Sequence, residues 1–349
     1  MYVRLTSPLT LDYGYWSGLL GMVQFNKDFG RWSDETQSYA LPSSYKSAGS
    51  ALPIAGLAFG ALFSGFLGNR LGRLKTFRVA SILSVISVVI QAACKTNYWQ
   101  LVVGRTVNSV ALGALANTIP PYLAEVSPLT IRGAMINFYQ FAVGVGAILC
   151  FTCNWGTQAR TDQWAYRLVI LLQFFMPAIF IPASFVIPES PRWLIGKGNR
   201  EGAIKSLSYL HKHAEQDFIE READLILAAE EENKTRFTNG WKDTVRGTNL
   251  RRTLIATGMQ CFQQAQGSAF MSSYSIIFMQ AVGVKDVYEI AVLLKLVMVA
   301  SAAMCFYFPD RIGRRPILIG SALTMGICMC AVSGIKGGPL TDDDTAMKG

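Results

Sequence analysis

Charge is what this sequence has least of. Its 349 residues carry 32 basic and 23 acidic side chains, 16% of the chain, where a soluble globular protein carries about 25%. The deficit is also uneven. Positions 189–252 hold 11 acidic and 12 basic residues, and the other 285 positions hold only 32 charges. So little charge cannot cover a soluble surface, and it excludes a disordered chain. Histidine is nearly missing too. His211 and His213 are the whole set, both in the polar block and expected to be solvated. No Ser/His/Asp, Cys/His or metal-ligand constellation appears, which argues against an enzyme and calls for no cofactor or metal. Seven cysteines make no disulfide framework, because all lie in or beside apolar segments. Cys150-x-x-Cys153 lacks the strand–turn–helix setting of a redox pair and reads as buried thiols. No cleavable signal peptide is apparent, since 1–11 has no sustained apolar core.

What the chain does have is apolar length. Hydrophobic residues make up 51%, and mean hydropathy is +0.29. A bilayer span needs about 20 apolar residues. Runs of that order occur at 47–69, 133–159, 168–188, 253–284 and 316–335. Others, at 76–94, 96–124 and 290–309, are each interrupted by one basic residue, and 13–26 is apolar but short. That gives nine spans, the first missing its outer half-turns. Gly and Ser recur within them, as at Gly56, Gly60, Ser64 and Gly68, and such residues let membrane helices approach closely. The connections after spans 2, 4, 6 and 8 carry the basic residues, so they face the cytoplasm. The net charge of +9 is therefore topological and gives no reason to invoke nucleic acid.

One motif occurs twice. After span 2 the chain reads Asn69-Arg70-Leu71-Gly72-Arg73, and after span 8 Asp310-Arg311-Ile312-Gly313-Arg314-Arg315. A six-span offset implies two six-helix halves in parallel repeat. Spans 7 to 9 then pair with 1 to 3, nothing pairs with 4 to 6, and the sequence is expected to be about three spans short. The expected fold is an all-α membrane bundle with its second half incomplete. Residues 1–194 form the first half, 195–250 a cytoplasmic helical linker, and 251–349 part of the second half. Such a chain, expressed alone, is expected not to transport.

These residues resemble the sugar porters of the major facilitator superfamily over nearly the whole chain, with a texture closest to fungal members. Leu11-Asp12-Tyr13-Gly14-Tyr15-Trp16-Ser17-Gly18 is similar to the first-helix G-Y-D-x-G-x-x-S-G pattern. The two turns resemble G-x-x-x-D-R-x-G-R-R, and Gly104-Arg105 the family's G-R. Glu125-Val-Ser-Pro128 through Arg132-Gly133 resembles E-x-x-P-x-x-x-R-G. Pro188-Glu189-Ser190-Pro191-Arg192 matches P-E-S-P-R, and Gln263-Gln264-Ala-Gln-Gly267 resembles Q-Q-x-x-G. Asn69 replaces the usual Asp, Phe306 a Gly, and Ala269 stands where hexose porters commonly carry Asn.

The resemblance implies transport of a hexose or disaccharide by alternating access, with a proton, across the plasma membrane. A sugar needs amides that donate and accept. Gln140, Gln263 and Gln264 supply them at membrane depth, and Gln266 is less clearly placed; hydrogen bonding between helices is the other reading. Asp12 and Arg105 would form the proton switch, with a structural ion pair as the alternative. Asn69, Arg70, Gly72, Arg73, Glu125, Arg132, Glu189, Arg192, Asp310, Arg311, Gly313, Arg314 and Arg315 would latch the cytoplasmic side. Lys295 in span 8 has no role in this scheme. The rivals are a transport-incompetent fragment and a sugar sensor on the same fold.

Overall fold

The computed structural model describes residues 9–33, 37–94, 97–128, 131–211, 215–236, 247–265, 267–281, 283 and 286–336. The chain forms two compact units, 1–299 and 300–349. The first opens with α1 (Leu9–Gly21) and α2 (Val23–Phe29), then a small hairpin, β1 (Arg31–Ser33) with β2 (Ser38–Ala40). Next come α3 (Ser43–Leu71), α4 (Arg73–Ala92), α5 (Tyr98–Val126), α6 (Arg132–Thr157), α7 (Trp164–Leu172) and α8 (Phe175–Val186). Short helices follow: α9 (Pro191–Gly196), α10 (Arg200–Leu210) and α11 (Gln216–Arg236). The unit closes with α12 (Gly247–Ala265), α13 (Ser268–Ala281) and most of α14 (Val287–Met304).

Among the described residues, five helical segments are long and apolar enough to cross a membrane: α3, α4, α6, α7–α8 together and α14. At 1.5 Å per residue, the 29 residues of α3 reach about 43 Å, beyond the roughly 30 Å of a bilayer core. Its faces are reversed from those of a soluble helix. Gly49, Ser50, Gly56, Gly60, Ser64 and Gly68 are buried, while Phe59, Leu62, Phe63 and Phe66 are exposed. Large apolar groups outward and small groups inward suit a helix with lipid on one side and helices on the other. A Cβ added at Gly60 would strike the Val110 carbonyl of α5, and one at Gly113 the Leu57 carbonyl of α3. The two backbones touch because neither glycine has a side chain.

Spans are broken in the first half at two places, each for a local reason. Between α1 and α2, Met22 is extended, and Asn26 Nδ2 donates to the carbonyls of Leu20 (3.0 Å) and Met22 (3.1 Å). The amide gives the Leu20 carbonyl a partner at the bend, while the Met22 carbonyl also keeps its backbone bond from the Asn26 N–H at 3.2 Å. Between α7 and α8, Pro177 has no N–H to give the Gln173 carbonyl four residues back, so the helix turns there.

Helices α9 to α11 form their own small core around Ile195, Ala203, Leu207, Ile219 and Ala223. Exposed Arg200 bonds Asp224 at 2.7 Å, which raises the guanidinium's pKa above its ordinary value. Elsewhere α13 and α14 close on α1: Tyr288 donates to the Gly18 carbonyl at 2.9 Å and Gln280 to that of Gly21 at 3.3 Å.

The second unit contains α15 (Phe308–Ile312) and α16 (Arg314–Lys336), with a shorter apolar helical stretch over Arg315–Cys328. The duplicated motif takes the same backbone shape in both places. Gly72 has φ 96° and ψ 170°, and Gly313 φ 86° and ψ 158°. That region is essentially reserved for glycine.

The two glycines differ in surroundings, which gives a test. A Cβ at Gly72 would lie 2.6 Å from Glu189 Oε2, whereas Gly313 has only Pro316 Cδ at 3.9 Å. Both alanine variants carry backbone strain of about 1–3 kcal/mol. Gly72→Ala must also displace the glutamate, so it is expected to lower the unfolding temperature of the solubilised chain more than Gly313→Ala does. Equal shifts would show that the glutamate contact contributes nothing.

Candidate functional site

The basic turn after α3 gathers a charged cluster. The first N–H groups of a helix have no partner inside it. At α4 they are capped by a residue over a hundred positions away: Glu189 accepts from the backbone N–H of Arg73 at 3.0 Å and of Leu74 at 3.2 Å. A carboxylate at a helix N-terminus also meets the positive end of the helix dipole. Beside it, Arg73 grips Glu125 of α5, with Nη2–Oε1 at 2.9 Å and Nε–Oε2 at 3.4 Å. Trp193 Nε1 donates to the Asn69 carbonyl at 3.2 Å.

The Pro-Glu-Ser-Pro run explains its own geometry. Ser190 accepts from Trp193 N–H at 3.3 Å and so caps α9, and Pro191 fills the first helical position. These are the preferred residues at those sites. Tyr122 donates to the Pro188 carbonyl at 2.8 Å, and Ser206 to that of Glu189 at 2.6 Å. The Glu189 side chain is thereby held toward α4.

Not every residue expected in this cluster joins it. Arg70 turns away and stacks on Phe66, 4.3 Å from the ring centroid. Arg132 and Arg192 line a cavity with Glu125. In the second unit Arg311 lies over Tyr307 at 4.5 Å and Arg315 is exposed; the side chains of Asp310 and Arg314 lie outside the described residues.

At membrane depth, Arg105 is 3% exposed. Its Nη1 donates to the Gly49 carbonyl of α3 at 2.8 Å. The guanidinium lies 4.2 Å from the Trp16 ring and 5.3 Å from that of Tyr15, both on α1. Trp16 in turn donates to Ser50 at 3.1 Å, and Tyr15 to Gln91 at 3.1 Å. A buried cation held by aromatic faces is strongly retained. Asp12 belongs to α1, one turn before these rings, and its side chain lies outside the described residues. Lys295 places Nζ 5.0 Å over Phe151 of α6.

Gln140 lies on α6 and Gln263 and Gln264 near the end of α12, all three exposed; Gln266 lies outside the described residues. The α12 helix stops at Ala265 and α13 starts at Ser268, with Gly267 at φ 77° between them. Sequence reasoning missed this break, although the glycine after the glutamines signals it. It also missed a buried hub in which Asn108 accepts from Ser84 (2.8 Å) and Ser87 (3.0 Å) and donates to Gln173 (3.0 Å). Among the described residues no group of His, Cys, Asp or Glu could hold a metal ion.

Helices with large apolar groups outward and small residues inside, a duplicated glycine turn and a buried arginine describe a multi-pass helical membrane bundle. The sequence profile described as "Sugar (and other) transporter" matches residues 8–349. The chain belongs to that family and is an integral membrane protein. It is 30% identical to the major facilitator-type transporter ecdD of Aspergillus rugulosus, over 96% of this chain and 62% of that protein. It is 29% identical to the hexose transporter HXT10 of Saccharomyces cerevisiae, over 91% of this chain and 58% of that one. The chain thus spans about three-fifths of the length of these relatives. The proton:xylose symporter XylE bound to 6-bromo-6-deoxy-D-glucose shares the fold with TM-score 0.74 at 21% identity, covering 90% of this chain and 70% of that one.

Proposed function

We propose that this chain carries the substrate path of a sugar porter, moving a mono- or disaccharide by alternating access across the plasma membrane with a proton. One observation carries the reading: the helix break at Gly267 directly follows Gln263 and Gln264. A break frees backbone carbonyls, and at membrane depth freed groups are tolerated only where they line a cavity or pack in protein. Discontinuous helices build the substrate sites of many transporters. Two amides beside the break, with Gln140 on α6, offer the donors and acceptors that sugar hydroxyls need. On this reading Asp12 and Arg105 serve the proton. The cluster of Arg73, Glu125 and Glu189 latches the cytoplasmic side, biasing a two-state equilibrium.

Gln263→Ala and Gln264→Ala test the sugar site in a porter of the relatives' full length that carries this sequence. Losing a hydrogen bond to a buried partner costs about 1–3 kcal/mol, or roughly 5- to 150-fold in affinity. Sugar affinity is expected to fall by that factor at unchanged membrane expression. Unchanged affinity in both variants would assign these amides to contacts between helices.

A further inference from the structure

A cavity of about 200 Å³ lies where the end of α5 and the start of α6 meet α9, α10 and α11. Its polar lining is Glu125, Ser127, Arg132, Arg192, His211 and Glu222. Two buried polar atoms of that lining have no hydrogen-bond partner among the described residues, Ser127 Oγ and Arg132 Nε; a third, Glu222 Oε2, meets only His211 Nε2 at 3.4 Å. Ser127 is only 4% exposed. Buried polar atoms are nearly always bonded, and two orphans beside one long ion pair on a single cavity mark a place built to be occupied.

The chemistry of the occupant follows from the wall. Glu125 is already neutralised by Arg73. Arg132 and Arg192 then face one remaining acid, Glu222, whose Oε2 lies 3.4 Å from His211 Nε2. Two guanidinium groups and a serine hydroxyl suit a phosphate, which takes charge-assisted bonds from arginine. A bare phosphate fits poorly, because the Glu222 carboxylate would repel it and needs a donor instead. The volume also exceeds what one small anion fills, since one water takes about 10–15 Å³ of such space. An occupant with a phosphate at one end and hydroxyls at the other serves both orphans and adds a donor for Glu222.

We propose that this cavity binds a small phosphorylated polyol. The idea builds on the sugar-porter reading, since an imported sugar is consumed by phosphoryl transfer to one of its hydroxyls. Its ester would then meet the transporter beside the latch of Arg73, Glu125 and Glu189. The same chemistry also occurs in the headgroup of a phosphoinositide.

The test is calorimetric titration of the purified chain with glucose 6-phosphate, inorganic phosphate and unphosphorylated glucose, and with phosphatidylcholine vesicles with and without phosphatidylinositol 4-phosphate. Saturable binding of the free ester, or of the phosphoinositide vesicles alone, supports the site and identifies its source. Ser127→Ala is expected to weaken that binding about tenfold. Glu222→Leu should narrow the gap between the ester and inorganic phosphate. The proposal is overturned if neither phosphorylated polyol binds, if inorganic phosphate matches the ester, or if both variants bind like the parent. Failure of the transport reading shows separately, as a porter of the relatives' full length carrying this sequence that takes up no sugar while the chain still binds the ester.

Discussion

Gly60→Leu and Gly113→Val are each expected to abolish the folded, monodisperse protein, while Gly65→Leu leaves it intact. The three sites share a residue type and differ only in what surrounds them. A Cβ at Gly60 or Gly113 strikes a backbone carbonyl of the partner helix, and Gly65 has nothing within 4 Å. Overpacking of side chains usually costs about 1–3 kcal/mol, because the neighbours can change rotamer. A carbonyl inside a helix has no such freedom. The 29-residue helices α3 and α5 would have to separate along their length, so more than about 3 kcal/mol is expected against a total stability of roughly 5–15 kcal/mol. Separation would also remove support from Arg105, which bonds the Gly49 carbonyl of α3. Size-exclusion profiles and unfolding temperatures of the three variants decide it. A well-folded Gly60→Leu chain would show that the seam yields more readily than the geometry implies.

That seam also shows what a single sequence can and cannot reveal. The recurrence of Gly56, Gly60, Ser64 and Gly68 already pointed to close helix packing, because spacing on one helix is a local property. Which helix they meet is not local, and α5 emerged only from the fold. The same division runs through the latch. The repeated turn predicted two equivalent glycines, and Gly72 and Gly313 share one backbone conformation. The destination of Glu189, the N-terminus of α4, could not be read, since its bonds cross more than a hundred residues. Breaks within spans were hidden for another reason. Hydropathy averages over a window, whereas Asn26, Pro177 and Gly267 act at one residue each. The polar atoms of the α5–α11 cavity were invisible for the converse reason: Ser127 and Glu222 are unremarkable in any window and matter only where they meet.

Arg105→Lys is expected to remove pH-driven sugar accumulation while leaving sugar exchange at least partly intact. Charge is conserved in this substitution, so the effect isolates geometry. The guanidinium is planar; it lies over Trp16 and Tyr15 while bonding the Gly49 carbonyl. An ammonium cannot stack in that way and is more strongly hydrated. A desolvated cation–π contact contributes about 2 kcal/mol, which is roughly thirtyfold in an equilibrium between two states. Only a contact that differs between states shifts their balance, and on the proton-switch reading this one does, because it joins α5 to α1, the helix that carries Asp12. Asp12→Asn is the companion variant. It keeps size and hydrogen bonding but cannot release a proton, so it should lose accumulation too, at least about tenfold. Exchange requires no net proton movement and should survive in part. The measurement pairs proton-driven uptake with equilibrium exchange in the same proteoliposomes, using a porter of the relatives' full length that carries this sequence. If the pair is purely structural, expression, exchange and accumulation fall together. Undiminished pH-driven accumulation in either variant would remove that residue from the proton path.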